Sequence, residues 1–120
     1  MAEITLISKD SKTNTSTRTN IIDVLAGATE VDLFIDRTDM QDETVAVGVQ
    51  LFLSLDGGIS WMPWGGFGTR GGDIENEEKK IEAKSGMVSN LPYPEKKNRK
   101  IMAVKTVVGT VNTALKCEMK

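Results

Sequence analysis

Thr44–Trp64 reads TVAVGVQLFLSLDGGISWMPW, and its first half alternates without a break. Val45, Val47, Val49, Leu51, Leu53 and Leu55 fall in one register. Ala46, Gly48, Gln50, Phe52 and Ser54 fall in the other. Only an extended strand, with its period of two, puts those aliphatic side chains on one face. The length of the run predicts a central place in its sheet. Asp56-Gly57-Gly58 then signals a hairpin turn, because glycine supplies the positive φ that tight turns need. The chain returns through Ser60, Trp61, Met62, Pro63 and Trp64. This hairpin is the expected scaffold of the fold.

Working outward, Val31, Leu33 and Ile35 alternate with Asp32, Phe34 and Asp36, a half-buried strand. Ile4–Ile7 can open another. Ser8 to Asn20 is polar, and reads as a solvated loop or edge segment, or else as an arm that orders on a partner. Ile21, Ile22, Val24 and Leu25 form a further apolar cluster, broken by Ala26-Gly27-Ala28-Thr29. Gly86–Leu91 is a short strand, stopped by Pro92-Tyr93-Pro94. Ile101, Ala103, Lys105 and Val107 alternate with Met102, Val104 and Thr106. Val108-Gly109-Thr110 turns the chain. Val111, Thr113, Leu115, Cys117 and Met119 follow in alternation, so the last third reads as a hairpin. The glycine-rich run 65–72 reads as bulges and close backbone approach. Residues 73–84 read as a charged loop, and 95–100 (EKKNRK) as a solvated basic turn. The expected fold is all-β: an antiparallel β-sandwich of about seven to eight short strands in one domain spanning 1–120. A small closed barrel is the alternative.

Composition narrows the function. At 120 residues with a net charge of −2, the chain lacks the concentrated basic face of a nucleic-acid binder. A single cysteine, Cys117, excludes an internal disulfide, and its place in the apolar register predicts a buried small hydrophobe. No apolar run is long enough for a membrane span. MAEITLISKD has neither the basic nor the apolar region of a secretory signal, which predicts manufacture in the cytoplasm.

The residues for catalysis are sparse. There is no histidine, which removes the commonest general base and metal ligand. Cys117 has no imidazole to activate it. Each carboxylate sits in a charged loop or on a polar strand face, without an apolar pocket to raise its pKa. Asp36, Asp39, Asp42 and Glu43 match no calcium loop. Residues 65–72 lack the GK[ST] ending of a phosphate loop. The expectation is no enzyme, no catalytic residue, no metal and no cofactor.

Two resemblances add to this. Ser54-Leu55-Asp56-Gly57-Gly58-Ile59-Ser60-Trp61 resembles the Asp-box motif S-x-D-x-G-x-T-W, with Ser60 in the threonine place. The resemblance implies a structural turn. In it the Asp56 carboxylate accepts backbone N–H groups. Gly58 takes a conformation closed to other residues, and Trp61 folds back as an apolar plug. Sialidases repeat this box in every blade; here it occurs once, which excludes a propeller. Their arginine cluster and tyrosine nucleophile have no counterpart, so their activity is not implied. More widely, Val31 to Asp39, Val45 to Phe67 and Arg99 to Val107 resemble, in layout, small structural proteins of tailed bacteriophages. Among these, capsid decoration (cement) proteins are small β-rich domains that clamp neighbouring capsid subunits, often as trimers.

The resemblance therefore implies a virion protein. Its partners would be the major capsid protein or another virion protein, and further copies of itself. Trp64 and Phe67, flanked by glycines, are the candidate partner contacts, because aromatic anchors dominate such interfaces; the competing reading has both filling the end of the sandwich. The alternative function is a carbohydrate- or ligand-binding module with Trp61, Trp64 and Tyr93 as a stacking platform. A tail- or fibre-associated domain is a third.

Overall fold

The computed structural model describes residues 3–37, 44–70 and 84–120. Their nine strands are β1 (Ile4–Thr13), β2 (Ser16–Arg18), β3 (Ile22–Asp23), β4 (Glu30–Arg37), β5 (Ala46–Ser54), β6 (Met62–Arg70), β7 (Lys84–Asn90), β8 (Lys100–Val108) and β9 (Thr110–Met119). They form two antiparallel sheets. One is four-stranded, in the order β1-β9-β4-β7. The other is five-stranded, in the order β2-β8-β5-β6, with β3 also paired to β8. The architecture is a sandwich and not a closed barrel. The expected charged loop 73–84 lies outside the described residues except for Lys84, which opens β7.

The alternation in β5 fixes the core. Val45, Val47, Val49, Leu51 and Leu53 are buried, and Leu55 packs partly against them. β5 lies between β8 and β6, inside its sheet. Across the layer, Val31, Leu33 and Ile35 of β4 and Leu115 and Cys117 of β9 complete a core built mainly from aliphatic side chains. Burying them is the main drive to fold, at about 25 cal/mol for each Å² of apolar surface removed from water. Lys105 shares the inward register and is 1 % exposed. Its Nζ donates to the Thr113 carbonyl at 2.8 Å and to the Thr113 hydroxyl at 3.2 Å, joining the two layers through the core. A buried ammonium requires such acceptors.

Two expectations are corrected, and a third resolves between its alternatives. The last third is no hairpin: β8 belongs to one sheet and β9 to the other, so Gly109 is a crossing between layers. Gly109 has φ of 78°, and a Cβ there would sit 2.8 Å from Val45 Cγ1, so both the turn and the packing require glycine. Of the two readings of the polar stretch 8–20, solvated loop or edge segment, the structure has the edge segment and not the loop. It supplies the second half of β1 and all of β2. Its pairing rests on backbone bonds and on polar cross-strand pairs such as Thr13–Thr110 (2.8 Å) and Ser16–Thr106 (3.0 Å). Threonine, β-branched, suits a strand without needing an apolar face. Thr19 is buried, its backbone N–H bonded to the Ala103 carbonyl at 2.9 Å. The other correction concerns Arg99, taken up with the site.

Candidate functional site

Strand register gathers one end of the sandwich. Ser54 pairs with Lys100, Ile22 with Ile101, Glu30 with Asn90 and Val31 with Met119. The segments 24–29, 55–61 and 91–99 therefore share that end.

The 55–61 turn is built around Asp56. Its Oδ1 accepts the N–H groups of Ser60 (2.9 Å) and Ile59 (3.1 Å) and the hydroxyl of Ser54 (2.8 Å). Its Oδ2 accepts the hydroxyl of Ser60 at 2.5 Å. Ser54 Oγ in turn accepts the N–H of Gly58 at 2.8 Å. Gly58 has φ of 95°, and the Trp61 ring lies beside it, with Cζ2 3.6 Å from where a Cβ would stand. The Ser60 hydroxyl, then the Ser60 backbone and the Ser54 hydroxyl, hold the Asp56 carboxyl at about 2, below its ordinary 3.8. The carboxylate, though exposed, is engaged by the hydrogen bonds of its own turn. The turn is also tied to its neighbour, Gly57 N–H donating to the Asn98 carbonyl at 3.0 Å.

Trp64 and Phe67 sit on β6, half-buried and packed against the core. Phe67 pairs with inward-facing Val49. The Trp64 indole donates to the Asn90 carbonyl at 2.6 Å, and its own carbonyl accepts the Ser89 hydroxyl at 3.3 Å. Of the three rings named for a stacking platform, Trp64 is thus held between two edge strands and Trp61 is half-buried at its turn. Tyr93 is 52 % exposed, with Lys96 Nζ 5.7 Å from its ring.

Arg99 corrects the reading of 95–100 as a wholly solvated turn. It is 2 % exposed. Its guanidinium donates to the carbonyls of Ala28 (2.7 Å), Pro92 (3.2 Å), Leu25 (3.4 Å) and Leu91 (3.5 Å). A planar cation with a fixed fork of donors is suited to collecting carbonyls from separate loops. In the sequence Arg99 is one of four basic residues between 96 and 100, and nothing in that run marks it as the inward one.

The surface of this end carries apolar side chains, of which sequence reasoning did not single out Ile59. Ile59, at the tip of the turn, is 86 % exposed; Ile21, Leu25 and Tyr93 are also exposed. Ile59 occupies a variable place of its motif, which is why the pattern did not flag it. Cys117 is buried, and burial pushes its thiol up to about 11. Asp36, once weighed for calcium, is bonded to Lys116 at 2.7 Å; Asp39, Asp42 and Glu43 lie outside the described residues. No helix among the described residues is long and apolar enough to cross a membrane.

No protein-family model and no curated protein sequence matches this chain. Solved structures do match. The PBSX exported protein XepA is similar over 98 % of this chain and 36 % of its own, with a TM-score of 0.61 and 12 % identity. CBM28, a carbohydrate-binding module specific for non-crystalline cellulose, is similar over 84 % of this chain and 61 % of its own (TM-score 0.51, 12 % identity). Desmodium yellow mottle tymovirus is similar over 97 % of this chain and 79 % of its own (TM-score 0.50, 11 % identity). The chain thus spans about a third of XepA and under two thirds of CBM28. At these identities the likeness is one of fold: an antiparallel β-sandwich found in an exported protein, a sugar-binding module and a virus.

Proposed function

We propose that this chain is a non-enzymatic structural protein of a tailed-phage particle, acting as a capsid decoration protein. It would bind the major capsid protein or another virion protein, together with copies of itself. The observation that carries this reading is the use made of its reactive side chains. Asp56 is held by its turn, Arg99 by loop carbonyls, Lys105 by Thr113, and Cys117 is sealed in the core. Groups that elsewhere do chemistry here hold a sandwich rigid. The layout of Val31–Asp39, Val45–Phe67 and Arg99–Val107 supports it, as does the occurrence of the same fold in a tymovirus. The exposed Ile59, Leu25 and Tyr93 end offers apolar anchors for such a partner. The test is mass spectrometry of purified particles, with the melting temperature of capsids measured with and without added protein. The chain should copurify and raise that temperature; its absence from particles would end the reading.

The likeness to CBM28 favours a second reading, a carbohydrate-binding sandwich. Titration against soluble glucans distinguishes it, binding lost on Tyr93→Ala being its signature.

A further inference from the structure

The two outer faces of the sandwich differ in kind. On the four-stranded sheet the outward register carries the charged Asp32, Asp36, Lys116 and Glu118 around a buried Phe34 and an exposed Val88, with Lys116 bonded to Asp36 (2.7 Å) and Glu3 (3.1 Å). That is the solvated face expected of an antiparallel sheet. The outward register of the five-stranded sheet is uncharged along its centre. Phe52 pairs with Met102, Gln50 with Val104 and Gly48 with Thr106. Gly66 and Gly68 continue the row on β6. Among the described residues, the charged positions in this register are Arg18 on the outer strand β2, directly opposite Val104, Arg70 at the end of β6, and the Lys100–Asp23 ion pair at a corner.

This face has relief. Toward one end, Gly48 and Gly66 floor a concavity of about 450 Å³, bordered by Gln50, Val104 and Thr106. Toward the other end stand the half-buried Phe52 and Met102. Phe52 lies four residues from Gly48, about 13 Å along the strand at the usual rise.

We infer that this face docks on a second copy of the chain, sheet against sheet, about a two-fold axis. The axis lies between the faces and crosses the strands at Gln50 and Val104. Turned about it, the Phe52 and Met102 ridge of each copy stands over the glycine hollow of the other. One patch then supplies both halves of the fit, as an isologous interface requires. Arg18, opposite Val104 on the short outer strand β2, meets its own copy at the exposed rim of this axis, where water and salt screen the repulsion, so pairing should tighten as salt rises. Three long strands and a short one offer about 500 Å² a side, about 1,000 Å² in all, the lower bound of specific association. An interface of that size belongs to the weak, transient class. The pairing is two-fold where the phage resemblance alone pointed to a trimer.

The inference rests on the assembly reading above only for its purpose, and the two fail separately. Sedimentation equilibrium of the full chain between about 1 and 100 µM samples weak pairing of this kind. Wild type should pass from monomer to dimer. Gly48→Leu is the sharp probe, because a Cβ at Gly48 meets nothing within 4 Å: the fold accepts the side chain while the hollow fills. Gly48→Leu and Val104→Glu should each weaken dimerisation at least about tenfold, with Gly48→Leu melting no lower than wild type. A wild type that stays monomeric, or a Gly48→Leu chain that pairs as well as wild type, overturns the inference. If a monomeric wild type enters particles and Val104→Glu does not, the face belongs to a different virion protein, and self-pairing is wrong. A dimer that never enters particles upholds the pairing and sinks the assembly reading.

Discussion

The indole N–H of Trp64 donates to the carbonyl oxygen of Asn90 at 2.6 Å, joining the edge strand of one sheet to the edge strand of the other. The ring fills the seam while its one polar atom finds an acceptor, the combination that lets tryptophan be buried at low cost. Trp64→Phe keeps an aromatic ring and removes the donor. It should lower stability by about 1 kcal/mol, the net value of such a bond. Urea denaturation followed by fluorescence of Trp61 measures it, and an unchanged midpoint would mean that the seam holds by packing alone.

Arg99 gathers carbonyls from residues 25, 28, 91 and 92. Arg99→Ala leaves several of them without a donor and should cost about 3 kcal/mol or more. Arg99→Lys keeps the charge but not the fork, and should restore only part of the loss. Thermal melts of the three proteins rank them; full rescue by lysine would show that charge, not geometry, is what the loops need.

Asp56 gives a pH dependence with a definite sign. Its carboxyl sits at about 2 in the folded chain against an ordinary 3.8. A lowered folded value means that the turn's contribution is whole above the ordinary value and is lost as pH falls through about 2. Carbon-13 NMR of the Asp56 carboxyl should show a midpoint near 2, and Asp56→Asn should flatten that part of the stability profile. A midpoint near 4 would contradict the bonding described.

Cys117 is sealed in the core with its thiol raised to about 11. In native protein at about pH 8 it should resist aromatic disulfide reagents and react only as fast as the sandwich opens. Rapid labelling that denaturant does not accelerate would place the thiol within reach of solvent.

The strands were legible in this sequence wherever one face is apolar. Val45 to Leu53 and Val31 to Ile35 show the period of two because one side meets the core and the other does not. Even Lys105 was readable as inward from its register, though not its Thr113 acceptors, which come from the opposite layer. Three things were hidden, each because the deciding partner is remote in sequence. The polar second half of β1 and all of β2 draw their stability from β9 and β8, about a hundred residues on. Arg99 is told from Lys96, Lys97 and Lys100 only by the carbonyls that surround it. Gly109 reads as a hairpin turn by local chemistry; that it crosses between layers is set by which neighbours β8 and β9 find. The outer hollow was hidden for a different reason. Gly48 registers in the sequence as one small residue in an alternating run, and only its neighbour Gly66 on β6 makes it a depression.

The crossing at Gly109 has a consequence for how the molecule comes into being. β8 pairs with β2, β3 and β5, and β9 with β1 and β4, so each of these two strands knits together partners synthesised before it. Until residues 100–119 have left the ribosome, β1, β2 and β3 lack the strands they pair with, and only the β5–β6 and β4–β7 ladders can form. The nascent chain must wait, extended and adhesive, and then close both layers in one late cooperative step, slowly, as such long-range pairing demands.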